Sequence, residues 1–199
     1  REEKGIELYK QFFYQEKLWV SNEDEEPYAI IRAGSGSIES PKISADGSVI
    51  AYTFNIPGSS QLKSINADGS NSRIIADHLE QYPLGGPFRL VPAAWSADNQ
   101  KIYLTTTTDS EATPRGLYAA DIRTGKIEKL SAPLVTPWHL SFSRDRTKIT
   151  YINFEMNRLD DQSKPSTPYS VSMTNLATGE TTELTKSSEY QLANPIFSP

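Results

Sequence analysis

The sequence predicts an all-β protein built as a β-propeller of four-stranded antiparallel sheets, called blades. Two observations lead to this fold class. A stretch at residues 92–104 (PAAWSADNQKIYL) recurs in whole or in part at three other places. Strand-like segments separated by Asp-Gly or Thr-Gly turns follow the complete copies. Internal repeats of about this length are typical of propellers and other repeat architectures.

The spacing of the copies favours a propeller over a solenoid. Each copy has a serine after its large apolar residue, and successive serines are 52, 47 and 55 residues apart. Such irregular spacing suits blades joined by loops of variable length. The four serines are Ser44, Ser96, Ser143 and Ser198.

The N-terminal segment predicts three strands. They cover residues 6–14, 17–21 and 28–32, where apolar and aromatic residues are separated by short polar stretches. A helix over residues 2–13 is the alternative for the first of them. The acidic run 22–26 is interpreted as a solvated hairpin tip, because it lacks the alternating ligand spacing of a calcium loop.

Three complete blade units follow, over about residues 41–75, 93–130 and 140–184. Each begins with a strand that ends in a tight turn, and each has a second tight turn between its third and fourth strands. The later strands of the first unit are predicted at 49–54, 61–66 and 72–75. Those of the second are predicted at 101–106, 116–122 and 127–130, and those of the third at 148–154, 169–174 and 181–184.

The two ends of the chain are predicted to share one further blade. Residues 6–32 supply strands of the second, third and fourth kind, and residues 195–199 supply a first strand. One interpretation is a circle of four blades closed by this split unit, with residues 1–199 as a single domain. The other, which we favour, is a segment of a larger propeller whose further blades follow Pro199.

Composition excludes several function classes. The chain of 199 residues is 37% hydrophobic, carries a net charge of −5 and has no cysteine. The negative charge argues against a nucleic-acid partner. Without cysteine there is no disulfide framework, thiolate metal site or cysteine nucleophile. No run approaches the roughly 18 apolar residues of a membrane span.

The repeat resembles the WD40-like (PD40) propeller repeat of the TolB family, of tricorn-type proteins and of the propeller domains of dipeptidyl and prolyl peptidases. The resemblance lies in a P-x-W/F-S-x-D-G signature and in a later D-G-S or T-G-K/E turn. Residues 41–47 carry the signature with Ile43 at the W/F position. The second and third copies lack the glycine, at Asn99 and Arg146, and the proline, at Ala93 and Leu140. The resemblance implies a bacterial, extracytoplasmic protein, periplasmic or secreted. It says little about function, because these shared residues are structural.

A single four-stranded meander cannot bury both faces, so large apolar residues at the start of each unit are expected to pack against neighbouring units. These residues, with the tyrosines of the second strands, are Ile43, Trp95, Phe142, Phe197, Tyr52, Tyr103 and Tyr151. The signature serines and aspartates are interpreted as bonding the turn backbone rather than as catalytic groups.

No catalytic constellation emerges from the motifs. The segment 34–37 (GSGS) has glycine where a nucleophile elbow needs serine, and no phosphate-binding loop or HExxH motif is present. The two histidines, His78 and His139, lie in different connections without a carboxylate pair at ligand spacing, and Asp160-Asp161 sits in a polar loop. We therefore predict no catalytic residue, metal or cofactor within this chain.

The long connections carry the candidate site. Because alternate connections of a meander emerge at opposite ends of the strands, the long loops should gather on one face, and such loops carry function. Aromatic and arginine residues favoured in binding hot spots occur there. The candidate binding residues are Tyr82, Phe88, Arg89, Trp138, His139 and Tyr190, although Phe88 and Trp138 could equally wedge between units.

The leading function hypothesis is a non-catalytic recognition module that binds protein or peptide through the long-loop face. One alternative is the propeller part of a serine peptidase of the prolyl oligopeptidase kind, with its hydrolase domain outside this chain. A G-x-S-x-G segment in a longer gene product would decide for it. A third possibility is carbohydrate or small-ligand binding in a central channel.

Overall fold

The computed structural model describes residues 7–10, 17–21, 26–34, 36–57, 59–77, 88–108, 116–130, 138–154, 169–187, 192 and 195–197. All regular secondary structure in these residues is β-strand, which confirms the predicted all-β class. The strands are β1 (Glu7–Lys10), β2 (Lys17–Ser21), β3 (Tyr28–Arg32), β4 (Ser37–Ile43), β5 (Val49–Ile56), β6 (Ser59–Asn66), β7 (Arg73–Ala76), β8 (Phe88–Trp95), β9 (Lys101–Thr108), β10 (Leu117–Asp121), β11 (Ile127–Lys129), β12 (Trp138–Phe142), β13 (Lys148–Phe154), β14 (Tyr169–Asn175) and β15 (Thr181–Ser187).

The strands form the predicted meanders. Three sheets have four strands each, in the orders β4-β5-β6-β7, β8-β9-β10-β11 and β12-β13-β14-β15, and a three-stranded sheet has the order β1-β2-β3. The registered pairs between neighbouring strands are antiparallel. The strand alternative is therefore correct at Glu7–Lys10, and the helix alternative is wrong there.

The chain divides into two compact units. The first comprises residues 1–110 and 120–127, and the second comprises residues 111–119 and 128–199. The sheets β1–β3 and β4–β7 belong to the first unit, and the sheet β12–β15 belongs to the second. The prediction of a single domain with a shared closing blade stays a prediction.

The first strands begin earlier than the signature predicted. β4 begins at Ser37, β8 at Phe88 and β12 at Trp138, where the predicted starts were 41, 93 and 140. Each of these strands contains a β-bulge a few residues before its end, and the pairing continues on both sides of it. The bulge in β4 holds Ser40, which has a φ of 49°, and Pro41, which has no N–H for the ladder. A proline at this place therefore does not end the strand.

The core of the first unit lies between the sheets β1–β3 and β4–β7. Leu18 and Val20 from the first sheet pack with Ile38, Ile50 and Tyr52 from the second, and all five side chains are buried. Residues on alternate positions of a strand share a face, so one face of the sheet β4–β7 covers this core.

The opposite face of the same sheet packs against β8. The hydroxyl of Thr53 donates to the carbonyl oxygen of Leu90 over 2.6 Å, and the indole Nε1 of Trp95 donates to the carbonyl oxygen of Lys42 over 2.8 Å. The backbone N–H of Ala45 donates to Asn99 Oδ1 over 3.1 Å. Neighbouring blades of this unit are thus joined by polar contacts at defined positions.

The large residues predicted to lie in the core fall into two groups. Tyr52, Tyr103, Tyr151 and Trp95 are buried, as predicted. Ile43, Phe142 and Phe197 are only half-buried, and the guanidinium of Arg146 lies 5.7 Å from the centre of the Phe142 ring. The signature position is therefore buried fully only where it holds tryptophan.

Candidate functional site

The strand registers define two ends in each sheet. At one end, called the long-loop edge, the first strand begins, and Ser37, Asn55 and Ser60 stand opposite one another across β4, β5 and β6. Phe88 pairs with Thr108 at this edge of the next sheet, and Tyr169 pairs with Phe154 and Ser187 at this edge of the last. The other end, called the tight-turn edge, carries the short turns. Within each of these sheets, the connection between the second and third strands therefore emerges at the end where the first strand begins. The long loop predicted at residues 55–60 is wrong, because only residues 57 and 58 separate β5 from β6.

The structure describes the candidate binding residues to different extents. Tyr82 and Tyr190 lie outside the described residues. Phe88, Trp138 and His139 lie in strands β8 and β12, at the long-loop edge of their sheets, and only their backbone is described. Arg89 is described completely. It lies in β8 rather than in the loop where the sequence placed it.

Arg89 forms an ion pair with Glu39 at the long-loop edge. Its Nη1 lies 3.3 Å from Glu39 Oε2 and 3.4 Å from Oε1, with side chains that are 51% and 32% exposed. Exposed pairs of this kind contribute only about 0.2–1 kcal/mol to stability. Both side chains therefore remain available to a ligand at little cost to the fold.

A row of polar side chains lies beside this pair on the same face of the sheet. Asn55 Nδ2 donates to Ser37 Oγ over 3.2 Å, and Ser60 stands opposite Asn55 on the next strand. Asn55 is two residues from Thr53, so this row shares the face that packs against β8. Glu39 stands opposite Thr53 and therefore points the same way.

Two oxygen atoms of this row have no hydrogen-bond partner. They are Asn55 Oδ1 and Ser60 Oγ, and both are buried. An unsatisfied buried polar atom costs about 1–3 kcal/mol, so such atoms are rare in folded proteins and call for a physical reason. Here both occur in one row, beside an exposed ion pair.

Gly36 allows the backbone before β4 to pass close to β5. A Cβ atom at this position would lie 2.7 Å from the carbonyl oxygen of Asn55 and 2.7 Å from the ring of Phe54. Only glycine lets the backbone approach β5 so closely. The position of Ser37 against Asn55 therefore depends on the absence of a side chain at Gly36.

The sequence missed Glu39, Asn55 and Ser60. Asn55 and Ser60 were placed at the ends of a loop, whereas β5 and β6 extend through them. The two-residue spacing from Ser37 to Glu39, and from Thr53 to Asn55, is the signal that could have placed these side chains on one face.

The tight-turn edge is built differently. In the first turn, Ser44 Oγ donates to Asp46 Oδ1 over 2.6 Å and accepts the Val49 N–H over 2.9 Å, and Asp46 also accepts the N–H and hydroxyl of Ser48. The same arrangement recurs in the other blades at Ser96 with Asp98 and at Ser143 with Asp145. The predicted structural role of these residues is confirmed.

These hydrogen bonds lower the pKa values of the aspartates. The Ser44 hydroxyl, followed by the N–H and hydroxyl of Ser48, lowers the pKa of Asp46 to about 2. The Ser143 hydroxyl and the groups of Thr147 lower the pKa of Asp145 to about 2 in the same way. The carboxylates are held in their charged form as turn acceptors, which is unlike the raised pKa of a general acid.

The turns between third and fourth strands use a related device. Asp68 Oδ1 accepts the N–H of Ser70 over 2.8 Å, and Asp121 Oδ1 accepts the N–H of Thr124 over 2.7 Å. Asn175 replaces the aspartate in the last sheet and accepts the N–H of Ala177 over 2.9 Å. Most polar side chains of these turns therefore have partners within their own turn.

The described part of the chain holds no group of three or more histidine or carboxylate side chains that could bind a metal ion. His78, Asp160 and Asp161 lie outside it. Among the described residues there is also no helix long and apolar enough to cross a membrane.

Several solved structures are similar to this one. They include TolB from Acinetobacter baumannii, with a TM-score of 0.62 and 15% identity, and oligogalacturonate lyase from Vibrio parahaemolyticus, with 0.62 and 12%. A structure from a study of two prolyl endopeptidases gives a TM-score of 0.66 and 15% identity. The alignments cover 89%, 98% and 94% of this chain, but only 40%, 50% and 29% of those chains.

The chain therefore has a TolB-like β-propeller fold, which confirms the predicted fold class. No protein-family model and no curated protein matches the sequence. The resemblance to the WD40-like repeat is therefore supported by the fold and not by a family match. Identities this low establish the fold alone, because one fold hosts many unrelated functions.

Proposed function

We propose that this propeller module recognises protein or peptide through the long-loop edge of its sheets. The observation that carries the proposal is the contrast in polar satisfaction between the two edges of the sheet β4–β7. At the long-loop edge of the sheet β4–β7, two buried oxygens lack partners beside an exposed Arg–Glu pair. Native proteins accept such local costs mainly at functional sites.

The chemistry of this edge suits an extended polypeptide. Asn55 Oδ1 and Ser60 Oγ can accept hydrogen bonds, which a peptide supplies through its backbone N–H groups. Arg89 can donate to a carbonyl or carboxylate oxygen, and Glu39 can accept from an amide or a cation. The arginine and the aromatic residues predicted at the same edge are residue types enriched in binding hot spots.

A second candidate is the propeller part of a serine peptidase. It is favoured by the similarity to the prolyl endopeptidase structure, of which this chain covers 29%. In that case the long-loop edge would guide a peptide substrate towards a hydrolase domain elsewhere in the gene product. A G-x-S-x-G segment on a strand–turn–helix in that product would decide for it.

The location proposed is extracytoplasmic. It rests on the resemblance to the TolB family, together with the similarity of the fold to two TolB structures. Fractionation of the native host, followed by detection of the protein in each fraction, tests it.

The proposed function is tested by selection from a library of random linear peptides displayed on phage, in parallel with an array of oligosaccharides. We expect an enriched peptide that binds the purified chain saturably. Binding to oligosaccharides on the array, without enrichment of any peptide, would contradict the proposal and favour the carbohydrate alternative.

The selected peptide then allows a matched comparison of two arginines. Arg89→Ala should weaken its binding about thirtyfold, the effect of losing a hot-spot side chain worth about 2 kcal/mol. Arg123→Ala removes an exposed arginine at a tight turn and should change Kd less than about twofold. Equal effects of the two changes would contradict binding at the long-loop edge.

A further inference from the structure

The ion pair between Arg89 and Glu39 engages its two partners unequally. Both oxygens of Glu39 approach the same nitrogen of Arg89, Nη1, at 3.3 and 3.4 Å. An arginine and a carboxylate that recognise each other fully form two parallel hydrogen bonds of about 2.7–2.9 Å from two different nitrogens. Glu39 therefore holds Arg89 through one long contact and leaves most of the guanidinium unused.

The unused part of Arg89 has the geometry of a carboxylate receptor. Its Nε and Nη2 atoms form no hydrogen bond with any residue that the structure describes. These two atoms lie on one edge of the planar guanidinium, and their N–H groups form a fork that matches the two oxygens of a carboxylate. The side chain is 51% exposed, so a ligand can reach this edge.

Glu39 offers a ligand less than Arg89 does. Both of its oxygens face the same arginine nitrogen, and it is the less exposed partner of the pair. A cationic ligand would have to displace Arg89 from these oxygens, whereas an anionic ligand can bind to Arg89 with the pair in place. The unequal pair therefore favours an anionic group on the ligand.

The backbone that carries Arg89 is held firmly. The next residue, Leu90, is fully buried, and its carbonyl oxygen accepts from the hydroxyl of Thr53 over 2.6 Å. On its other side, Arg89 is paired with Thr107 of β9. A charged side chain on such a strand loses less conformational freedom when it binds a ligand than one on a mobile loop.

The unpartnered oxygens of the polar row lie close to Arg89 along the fold. β5 runs towards the long-loop edge and β8 begins there, so Asn55 and Arg89 both lie on the edge side of the hydrogen bond between Thr53 and Leu90. Asn55 is two residues from Thr53, about 7 Å along the strand, and Arg89 directly precedes Leu90. A single short peptide can therefore meet Arg89 and the oxygens of Asn55 and Ser60 together.

We propose that Arg89 binds a carboxylate of the ligand through its Nε and Nη2 atoms, while backbone N–H groups of the same peptide donate to Asn55 Oδ1 and Ser60 Oγ. This inference rests on the proposed function and specifies the chemistry of its ligand. A C-terminal carboxylate and an acidic side chain present the same two oxygens to the guanidinium. The ligand class is thus a peptide that brings one carboxylate to the long-loop edge.

Two libraries of random hexapeptides test this ligand chemistry. Both are acetylated at the N-terminus, and they differ only in ending as a C-terminal acid or as a C-terminal amide. Each library is passed over the immobilised chain of 199 residues, and retained peptides are sequenced by mass spectrometry. Retention from the acid library alone would assign the C-terminal carboxylate. Retention from both libraries with enrichment of aspartate or glutamate would assign an acidic side chain.

The remaining outcomes separate this inference from the proposed function. Peptides retained from both libraries without enrichment of aspartate or glutamate would overturn the carboxylate and leave peptide recognition in place. Retention of no peptide from either library would contradict peptide recognition itself, and the inference would fall with it.

Substitution of Arg89 by lysine tests the role of the guanidinium, because lysine keeps the positive charge and loses the fork. Arg89→Lys should bind a retained peptide about tenfold more weakly, the effect of losing one hydrogen bond between charged groups. Arg123→Lys, at a tight turn, is the matched control and should leave Kd unchanged. Equal effects of the two lysine variants would overturn the role of Arg89.

A double-mutant cycle shows whether the carboxylate meets Arg89 itself. Replacing the carboxylate of the retained peptide by an amide should weaken its binding to the natural chain, but it should change its binding to Arg89→Ala less than about twofold. Equal losses on the two proteins would overturn the proposal, because the carboxylate would then contact another group.

Glu39→Gln gives a measurement with the opposite sign. It should strengthen binding of the carboxylate peptide about threefold, because it removes a like charge roughly 6 Å from the bound carboxylate. Unchanged or weaker binding, measured as Kd by calorimetry, would contradict a carboxylate bound beside Glu39.

Discussion

The two edges of the sheet β4–β7 satisfy their polar groups in different ways. At the tight-turn edge, Ser44 and Asp46 bond each other and the turn backbone. At the long-loop edge, Asn55 Oδ1 and Ser60 Oγ are buried without a partner. The same sheet therefore carries one edge that is complete in itself and one that is not.

This difference distinguishes polar residues that serve the fold from polar residues that are candidates for binding. The tight-turn device recurs in all three complete blades, so it belongs to the repeat and serves the fold. The polar row at Ser37, Asn55 and Ser60 and the pair Glu39–Arg89 belong to particular blades. Features that depart from the repeat are therefore the better candidates for recognition.

The largest expected effect on stability is at Trp95, near the tight-turn edge. Trp95→Ala should lower the free energy of unfolding by about 3–5 kcal/mol, because it removes a buried aromatic ring. It also leaves the carbonyl oxygen of Lys42 without its donor. Urea unfolding measures the loss.

Phe142→Ala is the matched comparison for Trp95. The Phe142 ring is half-buried at the same signature position, so its removal should cost clearly less than that of Trp95. Equal losses would show that exposure in the structure does not report the packing of these positions.

A pair of glycine substitutions compares the two edges directly. Gly125 and Gly34 have φ values of 74° and 62°, so alanine at either place costs about 1–2 kcal/mol for a left-handed conformation. At Gly125, overlap with the carbonyl oxygen of Ile75 should add roughly 1–3 kcal/mol. Nothing lies within 4 Å of a Cβ at Gly34.

Chemical denaturation of the two alanine variants measures this difference. Gly125→Ala should be less stable than Gly34→Ala. The reverse order would mean that the tight turn of β10 and β11 does not press against β7.

The charged aspartates make a prediction about pH. A depressed pKa stabilises the folded state above the unfolded value of about 3.9, and this contribution is lost as pH falls through the folded pKa of about 2. The stability advantage of the natural protein over Asp46→Asn should therefore shrink from pH 4 to pH 2. Urea midpoints at several pH values measure it, and a constant difference would argue against the hydrogen-bonded carboxylate.

The smallest expected effect on stability is at the long-loop edge. Glu39→Gln removes the ion pair with Arg89, and the loss should stay below about 1 kcal/mol because both side chains are substantially exposed. A larger loss by urea unfolding would place Glu39 among the structural residues and weaken the contrast between the edges.

Much of the fold could be predicted from the sequence because the repeat carries it. Strands β2, β3 and β13 match their predicted bounds, since alternation and turn residues are local signals. The early starts of β4, β8 and β12 could not be predicted, because a bulge lets pairing continue past residues such as Pro41 that otherwise suggest a strand end.

The candidate site was harder to predict than the fold. Arg89 could be chosen by residue type and place, but its partner Glu39 is 50 residues away and is brought near only by the packing of β4 against β8. The unsatisfied oxygens of Asn55 and Ser60 depend on three-dimensional surroundings that no sequence pattern reports. Tyr82 and Tyr190 stay predictions.

The most direct test of the contrast between the edges is to locate a bound peptide on the protein by photocrosslinking. The selected peptide carries a photoreactive benzophenone, and its crosslinks to the chain are located by mass spectrometry. We predict crosslinks in residues 37–39, 55–60 and 88–90, at the long-loop edge. Crosslinks confined to the tight turns at residues 45–48, 97–100 and 123–126 would contradict the account.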